Sequence, residues 1–150
     1  MKPLLRRTAV LLGALLLLGA CASYSTSAAQ APVVQDLPGL VDALQANGAV
    51  VKQGGEVSQS YFSVAGQQIT VDGAPVQVYE YASDTVLSDE IGMISPDGYL
   101  IDRAAVDWAG QPTMWNHGKL LVILVGNYPA AVESLTTVLG DPFIQAPPME

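Results

Sequence analysis

The run Leu120–Val125, LLVILV, places six apolar residues in succession with no polar residue between them. Neighbouring side chains of a strand point to opposite faces, so a run of this kind demands apolar cover on both sides of its sheet. LLVILV is therefore expected to be a central strand, and the rest of the chain must supply its neighbours and its cover.

Three segments carry a helical pattern. In DLPGLVDALQANG, Leu37, Leu40, Val41 and Leu44 fall at i, i+3, i+4 and i+7, and Asn47-Gly48 supplies a stop. In SDTVLSDEIGMI, Ser83 is placed to cap, and Val86, Leu87, Glu90, Ile91 and Ile94 share one side, a face that Glu90 interrupts. In YPAAVESLTTVLG, Pro129 opens the segment, Val132, Leu135, Val138 and Leu139 form the stripe, and Gly140 closes it.

Strand patterns fill the gaps: AVVKQ, SYFSV, then QQITV and PVQVYEY joined through Asp72-Gly73, a hairpin signal. After Pro96-Asp97-Gly98 follow YLID, AAVDWA, TMWNH and LLVILV. The order αβββ, αβββ, α lacks the alternation of a doubly wound sheet. It predicts a single α+β domain with about three helices and a mainly antiparallel sheet. VQVYEYASDTVLSDEI and LLVILVGNYPAAVESLTTVL echo each other faintly, which raises the expectation of an αβββ pseudo-repeat.

The chain opens on Lys2, Arg6 and Arg7, then an apolar stretch from Thr8 to Ala20, the layout of a secretory signal. Thirteen residues fall short of the roughly 20 that span a bilayer as a helix. Leu18-Gly19-Ala20-Cys21 resembles a bacterial lipobox. The resemblance implies cleavage between Ala20 and Cys21 and a diacylglycerol on the Cys21 sulfur. Each buried methylene contributes about 0.8 kcal/mol, so two or three acyl chains anchor where one is marginal. Cys21 is the only cysteine, which excludes a disulfide framework and any CxxC site.

These readings divide the chain into a signal peptide (1–20), a lipidated cysteine and tether (21–35), a globular domain (36–143) and a Pro-rich tail (144–150). The tether segment ASYSTSAAQAPVVQ has no periodicity and stretches to about 45 Å. Beyond the signal, only Lys52, Arg103 and Lys119 stand against fourteen acidic residues, a net charge of −11. Such a field repels phosphate backbones and anionic headgroups, so nucleic-acid binding is excluded as a function class and the lipid anchor is the only expected link to the membrane.

Tyr61-Phe62-Ser63-Val64, Gly73, Val76 to Tyr81, Ser95-Pro96-Asp97-Gly98, Trp108 and Gly118-Lys119-Leu120 together resemble small uncharacterised bacterial lipoproteins. That resemblance implies a fold and an extracytoplasmic address, and it carries no activity.

Candidate chemistry is sparse, and no cofactor or metal is expected. His117 is the sole histidine, in WNHGKL, without a GxSxG elbow to accompany it. Met114, Trp115 and His117 suggest copper(I) ligation, but in a strand Met114 faces away from the other two. Asp97, Asp102 and Asp107 lack the calcium-loop spacing, and Asp97-Gly98 reads as a turn. In PVQVYEY, alternation puts Val76, Val78 and Glu80 on one face and Gln77, Tyr79 and Tyr81 on the other. If helices cover the valines, Tyr79 and Tyr81, joined by Trp108 and Trp115, form a surface for a peptide, glycan or protein ligand. The alternative is that these rings close the second side of the core. A non-catalytic binding module is the favoured function, with a hydrolase using His117 and a structural envelope component as the other two.

Overall fold

The computed structural model describes residues 33–145. The expected signal peptide, Cys21 and most of the expected tether lie outside the described residues, as does the expected tail from residue 146. The elements run α1 (Leu37–Ala46), β1 (Val51–Val57), β2 (Gly66–Val71), β3 (Ala74–Glu80), α2 (Asp84–Ile91), β4 (Leu100–Ile101), β5 (Ala104–Ala105), β6 (Pro112–His117), β7 (Leu120–Val125), α3 (Pro129–Leu139) and β8 (Ile144–Gln145). Six strands form one antiparallel sheet in the order β1-β2-β3-β7-β6-β8, and β4 and β5 form a small hairpin. The α+β class and the three helices agree with the sequence pattern.

The run LLVILV becomes β7, an interior strand between β3 and β6. Its residues Leu120 to Leu124 are wholly buried because each face is covered. On one face, Val76, Val78, Leu120, Val122 and Leu124 pack beneath Leu40 and Leu44 of α1 and Leu135 and Leu139 of α3. On the other, Tyr79, Tyr81, Leu121, Ile123 and Met114 are covered by Phe62, Leu87 of α2, Ile101 and Val106. This second cover comes from two stretches, the β1–β2 loop that carries Phe62 and the excursion between β3 and β6 that carries Leu87, Ile101 and Val106.

Local chemistry fixes the element ends. Asp36 caps α1 by accepting from Gly39 N at 2.8 Å, and Ser83 caps α2 by accepting from Val86 N at 3.3 Å. Asp72 (φ 49°) and Gly73 (φ 85°) both take the left-handed conformation that a two-residue hairpin requires. Asp72 also ties three elements together, accepting from Ser134 Oγ of α3 at 2.6 Å and from Val50 N at 2.8 Å. Those bonds, the one from Ser134 first, hold its carboxyl below the ordinary aspartate value. At the other end of β3, Glu80 accepts from Lys119 Nζ at 2.6 Å and from Leu37 N at 3.2 Å. It thereby links the N-terminus of α1 to the β6–β7 turn.

Three sequence expectations need correction. SYFSV is not a strand: its backbone bends so that the Phe62 ring meets Tyr79, with centroids 4.6 Å apart, and Ser63 meets Glu90. The domain is also wider than 36–143. Val34 is 7% exposed and belongs to the helix-side core, while Ile144 and Gln145 pair with Met114 and Thr113 of β6. The two echoing strand-to-helix units share chain order but not placement, since α2 lies on the tyrosine face and α3 on the valine face.

Candidate functional site

The tyrosine face is organised in rows across the sheet. One row is Gly66, Tyr79 and Leu121, paired in register, and Phe62 covers it. The next row is Gln68, Gln77 and Ile123. Beyond it lie Pro75 and Val125. Cover extends over Ile123, which is fully buried, and stops there, so Gln77 and Gln68 are left as the floor of a groove of about 500 Å3. Ala109 stands at one side and Gly126-Asn127-Tyr128, the β7–α3 connection, at the other.

Two glycines shape that wall. Gly126 has φ 109°, and a Cβ there would come within 3.0 Å of the Tyr128 ring. A Cβ on Gly110 would lie 3.1 Å from the Cα of Gly126. The two backbones approach this closely because Gly126 N donates to Gln111 O at 2.9 Å. The bond fixes the Ala109 side of the groove against the Tyr128 side.

Gln77 is held in place. Its Oε1 accepts from the Tyr79 hydroxyl at 2.7 Å and, weakly, from Gln59 Nε2 at 3.5 Å. With the oxygen engaged, the amide nitrogen is the group left to donate. Burial pushes the Tyr79 phenol up to about 12, so this donor keeps its proton across the physiological range. No lining residue is charged. Two other depressions on the described surface are charged, one by Glu133 and Asp141 and one by Asp84 and Lys119.

The aromatic surface expected from Tyr79, Tyr81, Trp108 and Trp115 does not form. Tyr79 and Trp115 are 0% exposed and Tyr81 is 2% exposed. Trp115 pairs in register with Val122 and so belongs to the valine face, opposite the tyrosines. Trp108 is half-buried on the tyrosine side and donates through Nε1 to Gly98 O at 2.8 Å, which ties the chain after β5 to the Ser95–Gly98 turn. In that turn Asp97 Oδ1 accepts from Ser95 Oγ at 2.6 Å and from Tyr99 N at 3.1 Å, which makes it a turn residue, as its place before Gly98 suggested. These bonds, Ser95 first, hold the Asp97 carboxyl below its ordinary value.

His117 Nδ1 lies 3.3 Å from the Leu139 carbonyl at the end of α3. A carbonyl only accepts, so Nδ1 carries the proton in this bond. The partner is backbone, and no serine or carboxylate is brought to the ring by a hydrogen bond among the described residues. Met114 and Trp115 are buried on opposite faces. Among the described residues, no three His, Cys, Asp or Glu side chains converge as a metal site, and no helix is long and apolar enough to cross a membrane.

One buried polar cluster escaped sequence reasoning. Glu90, 5% exposed, accepts from Ser63 N and Ser63 Oγ, both at 2.7 Å. The carboxylate that interrupts the apolar side of α2 is thus the fastening of the β1–β2 loop. The Tyr81 hydroxyl lies beside it without a well-formed hydrogen bond. Burial, then the Glu90 charge, holds the Tyr81 phenol far above its ordinary value. An unpaired buried hydroxyl costs about 1–3 kcal/mol. Tyr81→Phe should therefore keep or raise stability, whereas Glu90→Ala should lower it by about 1–3 kcal/mol by leaving Ser63 N unpaired. Urea unfolding of both variants checks this, and a marked loss in Tyr81→Phe would show that the hydroxyl has a partner. No family model, curated protein or solved structure matches the chain.

Proposed function

We propose that the chain is a lipid-anchored extracytoplasmic lipoprotein, tethered through Cys21, whose domain is a non-catalytic binding module with its site in the amide-lined groove. The observation that carries this reading is the Gln77 amide, fixed through its oxygen and placed in the groove with the apolar Pro75 and Val125. A few placed polar groups over an apolar floor are what a small-ligand cleft uses to orient its occupant. The uncharged lining within a domain of net charge −11 favours a neutral ligand. A strongly anionic ligand would be repelled by the domain's field, and a cationic one would find no counter-charge in the groove. The hydrolase reading loses its support, because His117 Nδ1 donates to a backbone carbonyl rather than to a carboxylate.

The test is a ligand-observed NMR screen of neutral amide- and hydroxyl-bearing fragments against the full-length protein. Hits should disappear in Tyr128→Ala, which removes the exposed ring of the groove wall. If every hit persists in that variant, the groove is not the site.

A further inference from the structure

We propose that the groove receives the acetamido group of a neutral N-acetylated sugar, an inference that rests on the binding-module reading above. Three features of the groove match three parts of such a ligand. Gln77, with Oε1 occupied by the Tyr79 hydroxyl, offers an oriented N–H to a carbonyl oxygen. Val125 and Pro75 offer an apolar seat for the acetyl methyl. Gln68 and Asn127 offer amide oxygens and nitrogens to the ligand N–H and ring hydroxyls, while the exposed Tyr128 ring at the wall offers a face to the sugar ring. A volume of about 500 Å3 suits a ligand of one or a few rings rather than a protein surface.

The strands beneath the groove favour a sugar over a peptide. Extended peptides are held chiefly through the backbone groups of an open sheet edge. Here the floor is built from β2, β3 and β7, each of which already has a strand on both sides. Their backbone groups are committed, so recognition falls to side-chain amides and the aromatic wall. A ligand whose polar groups ring a compact apolar body meets that requirement.

The experiment uses the full-length lipidated chain in detergent micelles, with amide NMR shifts and calorimetry as readouts. The probes are the β-1,4-linked trimer of N-acetylglucosamine, the corresponding trimer of glucose, and an end-capped alanine tripeptide. The N-acetylated trimer should shift Gly126, Asn127 and Val125 saturably, and the glucose trimer should not. Asn127→Ala and Gln77→Ala should each weaken binding roughly tenfold. Asn127 is exposed, so its variant remains informative even if Gln77→Ala loosens Tyr79. Equal binding of both trimers, or unchanged affinity in both variants, would overturn the acetamido assignment. If only the tripeptide shifts the groove, the sugar is wrong and the binding module stands. If no probe shifts it while fragments dependent on Tyr128 do, the sugar is again wrong. If neither probes nor fragments bind there, both readings fall.

Discussion

Metabolic labelling with palmitate should mark the wild-type chain and leave Cys21→Ser blank, and the membrane fraction should lose the protein almost completely. The expectation rests on Leu18-Gly19-Ala20-Cys21 behind a basic start and a short apolar run. A hydroxyl cannot replace the thiol that takes the diacylglyceryl group. The size of the effect follows from the rest of the chain. Only three basic residues follow the signal, against fourteen acidic ones, so no polybasic patch exists to hold the protein once the acyl chains are gone. If Cys21→Ser stays in the pellet after an alkaline wash, the uncleaved apolar segment is the anchor and the lipoprotein reading fails. A soluble version for such comparisons should begin at Val33 rather than Asp36, because Val34 is part of the helix-side core.

What was legible in the sequence is what depends on near neighbours. The unbroken LLVILV run, the Asp72-Gly73 turn, the Ser83 cap and the Gly140 stop each state their role within a few residues, and each is found as read. Alternation in PVQVYEY likewise separated Val76 and Val78 from Gln77 and Tyr79 correctly. Alternation says nothing about which face remains open. The tyrosines are buried because the β1–β2 loop and the chain between β3 and β6 both fold back over them, long-range events with no local period. Trp115 was misplaced for a related reason: its face is set by the β6–β7 register, Trp115 opposite Val122, and register belongs to a pair of strands rather than to one. The groove was hidden because Gly110 and Gly126 meet only in the fold, and Glu90 looked like a flaw in α2 because its partner Ser63 lies 27 residues away.

Trp115→Ala should destabilise the domain by about 3–5 kcal/mol, the usual cost of removing a large buried aromatic. Trp115 is fully buried on the helix-side face of β6, in the same cluster as Leu40, Leu44 and Leu135. A cavity there would open beneath α3, which packs on β6, and the buried Met114, Leu121 and Ile123 on the far side leave little freedom to collapse into it. Against a typical domain stability of about 5–15 kcal/mol, that loss is a large fraction of the whole. Trp115→Phe should behave differently. The indole Nε1 is buried and has no hydrogen-bond partner among the described residues, a penalty of about 1–3 kcal/mol that phenylalanine removes while it gives up part of the ring volume. The two effects oppose each other, so the variant should remain within about 1 kcal/mol of wild type. Guanidinium unfolding of the chain from Val33, followed by far-UV circular dichroism, separates the cases. A small loss in Trp115→Ala would mean that the ring is not packed as described. A phenylalanine variant as unstable as the alanine one would mean that the indole N–H is bonded and holds the helices to the sheet through that bond.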